Sequence, residues 1–184
     1  VPLVEKGNRL YVLFEVRSED LKHQPGEIGF PGGMMEQGET SEECAIRETC
    51  EELCLPMHAI EVLGELNYIV AYANFTLYAF LGVLDEKSLS AVSPNADEVK
   101  ETFLVPLDFF LEQEPELYNN RIMQDVAPDF PIEKVAPSGK YNWKSKTSLV
   151  VIYTYFDSET NCERIIWGLT ARILYDFVEM IKQN

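Results

Sequence analysis

The stretch from Glu39 to Leu53 constrains this chain more than any other. Thr40-Ser41-Glu42-Glu43 matches a capping box, in which a hydroxyl caps a free N–H and a glutamate three residues on reaches back. It predicts a helix running to about Leu53. At about 100° per residue, Glu48, Glu51 and Glu52 share one side, and Ala45, Ile46, Thr49, Cys50 and Leu53 share the other. The second side suits packing on a sheet. The first crowds three carboxylates at i, i+3 and i+4, and like charges there repel by roughly 0.2–0.5 kcal/mol per pair. Taken alone, such a face belongs to a solvated surface helix.

Its surroundings change that reading. Gly32-Gly33 supplies flexible backbone just before the helix, able to approach a ligand closely. Arg47 lies four residues before Glu51, and its planar fork can hold a neighbouring carboxylate in one rotamer. Hard oxygen donors on a rigid helix suit Mg²⁺ or Mn²⁺ rather than zinc. Charge makes such an ion useful: 15 Lys+Arg against 31 Asp+Glu give a net −16. That balance excludes nucleic acid and anionic membrane as partners, since both need a basic surface. An anionic substrate would need bridging cations.

The four cysteines, Cys44, Cys50, Cys54 and Cys162, form no C-x-x-C pair and have no histidine beside them. They read as reduced, buried thiols of a cytoplasmic protein. No apolar run approaches the roughly 18 residues of a membrane span, and Lys182-Gln183-Asn184 is not a peroxisomal address. Val1 reads as already inside a strand, so a native segment is expected to precede it.

Elsewhere, strands are predicted at Leu10–Arg17, Glu27–Phe30, Glu61–Asn67, Phe75–Leu84, Val99–Leu104, Leu149–Phe156 and Cys162–Trp167. Pro106–Gln113 and Gly168–Lys182 read as helices, and Glu114–Lys146 as a long loop with one or two helical turns. Strands and helices intermix, so the class is α/β or α+β, with residues 1–184 forming one domain.

The segment Gly33 to Leu55 resembles the Nudix box, G-x5-E-x7-R-E-U-x-E-E-x-G-U, with U a bulky aliphatic residue. Gly33, Glu39, Arg47, Glu48, Glu51, Glu52 and Leu55 stand at the required spacings. Thr49 replaces the aliphatic residue and Cys54 the glycine after the helix. A residue with a Cβ pays for positive φ, so a modified helix exit is expected. Upstream, Arg17-Ser18, Leu21-Lys22-His23-Gln24-Pro25-Gly26 and Phe30-Pro31-Gly32-Gly33 resemble the extra signature of the coenzyme A pyrophosphatase branch. Asp97-Glu98-Val99, Phe103–Leu107 and Ile166–Leu174 are similar to that branch further along.

The resemblance implies a Nudix α/β/α sandwich with a mixed central sheet. It also implies metal-dependent hydrolysis of a pyrophosphate bond in coenzyme A or its thioesters. Products would be 4′-phosphopantetheine, or its acyl form, and adenosine 3′,5′-bisphosphate. By the same carry-over Glu48, Glu52 and Glu51 would be metal ligands, and Glu39 and Arg47 would tie loop to helix. Glu51, Glu52, Arg47 and Glu98 are the catalytic candidates, with the general base either a box glutamate or a distal acid, Glu98, Glu101 or one of the 114–129 region. Arg17, Lys22, His23, Gly32 and Gly33 are candidate substrate contacts. Nudix relatives are often dimers, which makes a second copy of the chain a candidate partner. Other substrates of the wider family, such as ADP-ribose, NADH or nucleoside triphosphates, are the alternatives. A catalytically silent binding protein is another, though its usual mark, a lost glutamate, is missing. Tyr68, Tyr72, Phe75 and Tyr78 read as packing residues, Trp167 and Thr170 as shaping the last strand-to-helix turn. Tyr141 and Trp143, with Lys140 and Lys144, read as a substrate rim.

Overall fold

The computed structural model describes residues 1–183 except 72–74, 124, 137 and 139–144. Tyr72 and the rim candidates Lys140, Tyr141, Trp143 and Lys144 therefore lie outside the described residues. In chain order the elements are β1 (Pro2–Lys6), β2 (Arg9–Arg17), β3 (Ile28–Gly29), α1 (Ser41–Leu53), a 3₁₀ turn (Met57–Ala59), β4 (Ile60–Glu65), β5 (Ile69–Val70), β6 (Thr76–Leu77), β7 (Phe80–Leu84), α2 (Glu86–Ala91), β8 (Val99–Pro106), α3 (Leu107–Glu112), β9 (Glu116–Ile122), α4 (Ile132–Val135), β10 (Lys146–Asp157), β11 (Cys162–Trp167) and α5 (Gly168–Lys182).

The central sheet is mixed, as expected. β1 runs parallel to β7, while β2 pairs antiparallel with β1 and β3 along one edge and with β8 along the other. β4 closes the far side by pairing antiparallel with β7. A second, three-stranded antiparallel sheet, β9-β10-β11, packs through α5. The continuous strand expected over Phe75–Leu84 is broken into β6 and β7, with Tyr78 and Ala79 between them.

β2 organises both faces of the main sheet, because successive strand residues point to opposite sides. Val12, Phe14 and Val16 join Phe103, Phe110, Tyr153, Leu174 and Phe177 in one core, closed by α3 and α5. Phe14 stacks on Phe103 and Phe30 with centroids 5.4 and 5.0 Å away. Leu13 faces the other way and meets Val4, Leu53, Leu55 and Leu84 in a smaller core under α1. Fully burying an aliphatic side chain such as Leu53 or Leu84 stabilises by about 1.5–3 kcal/mol, which fixes where α1 sits.

Three expectations fail for physical reasons. The 114–146 region holds a strand, β9, whose residues are almost all exposed; its polar sequence ELYNNRI has no alternation, and pairing with β10 alone makes it a strand. Only Cys44 and Cys50 are buried, whereas Cys54 and Cys162 are exposed; all four are free thiols. Tyr68, Phe75 and Tyr78, read as packing residues, are also exposed.

Candidate active site

α1 begins as its sequence requires. The Thr40 hydroxyl accepts from the Glu43 N–H at 3.2 Å, and the Glu43 carboxylate accepts from the Thr40 N–H at 2.9 Å. At the other end Cys54 adopts φ 51° and ψ 48°, and its N–H donates to the Cys50 carbonyl. The exit is thus the left-handed turn a glycine would make. The expected modification does not occur, and the chain accepts the conformational cost instead, of order 1–2 kcal/mol.

Arg47 is the hub of the helix. Its Nε and Nη2 donate to the two Glu39 carboxylate oxygens at 2.8 and 3.1 Å, and Nη2 also donates to the Met34 carbonyl at 3.2 Å. Nη1 reaches Glu51 at 2.9 Å and Glu48 at 3.0 Å. The guanidinium holds the Glu39 carboxyl down at about 2, aided by the Glu36 N–H. One cation therefore ties the 33–39 loop to the helix and fixes three carboxylates.

Position 33 has no room for a side chain. A Cβ there would stand 2.5 Å from the Glu48 carboxylate, so the backbone lies directly against that acid. One residue earlier, the Gly32 N–H donates to Glu52 Oε2 at 2.8 Å.

Glu52 departs most from the picture of a solvated ridge. It is 5% exposed, while Glu48 is half-buried and Glu51 exposed. Burial, then the charge of Glu15, push the Glu52 carboxyl up to about 8; Glu48 and Glu98 add to the rise. Glu15, from β2, is raised to about 7, mainly by burial, with Glu98 raising it and Arg17 opposing. Acids from a strand, a helix and a distal loop thus share one electrostatic neighbourhood. The chain end of α1 helps build it, because the N–H groups of Ser93 and Asn95 donate to the Leu53 and Glu52 carbonyls at 3.1 and 2.8 Å. Glu98 follows directly and accepts from the Asn95 side-chain amide at 3.0 Å. Glu101 is committed elsewhere: both its oxygens accept from Arg164, at 2.7 and 3.1 Å, and Arg164 lies over the Phe103 ring at 4.6 Å.

Beside these acids a cavity of about 770 Å³ opens along the sheet, within the usual size of small-molecule sites. Arg17, Gly32 and Gly33 line it, as do Phe75, Tyr78 and Thr170. Lys22 and His23 are exposed and take no part in its wall. Phe75 and Tyr78 thus form part of the cavity rim, while Tyr68 lies outside its lining. Glu48, Glu51, Glu52 and Glu98 stand outside the lining, with Gly33 between Glu48 and the cavity; Glu15 is in the lining itself. Sequence reasoning missed Glu15. Its only signal was an acid at an inward position of an otherwise apolar strand.

The donor set is chemically right for a hard divalent cation: carboxylates that raise one another's pKa, and a buried Glu15 Oε2 with no hydrogen-bond partner. Among the described residues, no three acidic, His or Cys side chains already converge as a finished metal centre.

The NUDIX domain family model matches residues 1–126. The chain is 34% identical over 174 residues, 94% of its length, to the Mus musculus protein named peroxisomal coenzyme A diphosphatase NUDT7. It spans 64% of that protein's length. It is 36% identical over 109 residues to the Caenorhabditis elegans protein named peroxisomal coenzyme A diphosphatase ndx-8, covering 58% of this chain and 46% of that one. Among solved structures, a C. elegans Ap4A hydrolase binary complex superposes with a TM-score of 0.50 at 18% identity, over 61% of this chain and 80% of that one, a likeness of fold alone.

Proposed function

This chain belongs to the NUDIX family, and on that premise we propose that it hydrolyses the pyrophosphate bond of coenzyme A or its thioesters. The products are 4′-phosphopantetheine, or its acyl form, and adenosine 3′,5′-bisphosphate. The observation that carries the reading is the Arg47 hub, which locks the box glutamates against the Gly32–Gly33 backbone at the edge of the cavity. The similarity to two proteins named coenzyme A diphosphatases supports the substrate class.

Nudix hydrolases generally need divalent metal ions; here Glu48, Glu52 and Glu51 are the proposed holders of Mg²⁺ or Mn²⁺. When bound, such an ion screens the diphosphate charge and makes a nucleophile of water near neutral pH. The chain's own residues do the rest. Arg47 holds Glu48 and Glu51 in place. Glu98, exposed and adjacent to Glu52, is better situated than Glu101 to accept a proton, because Arg164 already occupies both Glu101 oxygens. Arg17 supplies positive charge at the cavity wall, and the wall's apolar side chains suit a pantetheine arm.

In this reading residues 1–184 act as one unit, since Val151, Ile166 and Leu174 share a core with Phe14. Among the described residues no helix is long and apolar enough to cross a membrane. A cytoplasmic site of action is the proposal from the sequence; imaging the tagged full-length protein tests it against peroxisomes, the address in the mouse relative's name.

The test is product identification by mass spectrometry after incubation with coenzyme A, ADP-ribose, NADH or nucleoside triphosphates, with Mg²⁺, Mn²⁺ or EDTA. Coenzyme A should be cleaved fastest and only with metal, and E52Q should lower turnover by orders of magnitude while leaving the fold intact. Equal turnover on all four compounds would refute the substrate assignment.

A further inference from the structure

Strand β2 carries an acid that neither the box nor the distal loop accounts for. Glu15 is 1% exposed, yet its Oε2 is buried without a hydrogen-bond partner. Arg17, two residues on, does not satisfy it, and the Arg17 Nε is itself buried and unpartnered. The strand fixes where Glu15 points. Pairing with β8 at Thr102 and with β3 at Gly29 holds the register on both edges, leaving the side chain on the face shared by Leu13 and α1. It lines the cavity with Gly32 and Gly33. The Gly32 N–H occupies Glu52 Oε2, so these two acids meet at the same loop.

A buried, unpaired carboxylate beside a second buried carboxylate is an expensive arrangement unless something positive sits between them. We propose that Glu15 is a ligand of the divalent cation, contributed by the sheet opposite the α1 glutamates. This rests on the reading of the site as a divalent-cation centre. The ion would then be held by donors from two elements of secondary structure, and Glu15 would place it at the cavity wall. The box acids alone stand off that wall.

Mn²⁺ binding to the full chain without substrate, followed by calorimetry and by the electron paramagnetic resonance of free Mn²⁺, tests this. E15Q should weaken binding by about tenfold or more, as loss of a charged oxygen donor does. E15D, which keeps the carboxylate, should bind closer to wild type than E15Q, and E42Q, which removes an exposed charge from α1, should bind like wild type. The second readout is thermal stability. Without metal E15Q should melt no lower than wild type, since it removes an unpaired charge, while its Mn²⁺-induced rise in Tm should shrink. Unchanged Mn²⁺ affinity in E15Q, or an equal loss in E42Q, would overturn the assignment while leaving the proposed hydrolase intact. A lower metal-free Tm in E15Q would make Glu15 structural and also overturn it. No Mn²⁺ binding by wild type, with or without coenzyme A, would overturn both readings.

Discussion

Replacing Cys54 by glycine should stabilise the protein. Cys54 sits at φ 51° and ψ 48° at the end of α1, where a Cβ crowds the following carbonyl at a cost of roughly 1–2 kcal/mol. Glycine relieves this but gives the unfolded chain more freedom, an opposing effect of about 0.4–1 kcal/mol. The sulfur's contact with the Glu51 carbonyl at 3.7 Å is too long to weigh much. The net is about 0.5–1 kcal/mol in favour of C54G, which for a chain of this size is a rise in Tm of about 1–4 °C. Urea denaturation should show a higher midpoint at an unchanged m-value. C54A is the control, because it loses the sulfur but keeps the Cβ and should gain nothing. The Cys54 sulfur meets Glu51 at its backbone carbonyl and not at its carboxylate, so turnover should stay within about twofold. A fall in stability in C54G, or an equal gain in C54A, would refute the argument that the left-handed exit is a strained one.

R47K keeps the charge but cannot reproduce five donations from a planar fork, so it should lose about 2 kcal/mol and melt about 4–8 °C lower. Turnover should fall with it as Glu48 and Glu51 are released; an unchanged melting curve would contradict the hub. In metal-free buffer, stability should depend on pH with a definite sign. Glu15 and Glu52 start from an ordinary value of 4.5 and rise to about 7 and 8 in the folded state. The folded protein therefore holds more protons than the unfolded chain between those values. The contribution of this pair is fully present below about pH 4.5 and is lost as pH climbs toward 8. Denaturation in EDTA from pH 5 to 8 should show this decline, E52Q should flatten it, and a rise would count against the buried pair.

Local signals in the sequence were readable where they stand alone. Thr40 and Glu43 form the predicted reciprocal cap, Arg47 meets Glu51, and β11 and α5 have the predicted bounds. What could not be read depends on contacts distant in the chain. β9 exists through pairing with β10, and β1 through pairing with β2 and β7. Helical periodicity put Glu52 among solvated acids, whereas it is buried where the Gly32 and Asn95 backbone and the Glu15 side chain come together. The exposed Tyr78 likewise lies in the break between β6 and β7, which composition does not announce.

The alternation along β2 has a consequence for how errors are rejected during folding. Phe14 and Val16 belong to one core, and Leu13, Glu15 and Arg17 to the opposite face. A slip of one residue would exchange these sets, thrusting an anion and a cation into the aromatic stack around Phe103 and moving Phe14 to the face that holds Leu13 and the cavity wall. Misthreaded chains are thus penalised by the very charges that the correct thread places at the cavity wall. Proofreading of the fold and assembly of the charged cavity wall are one event on a single strand.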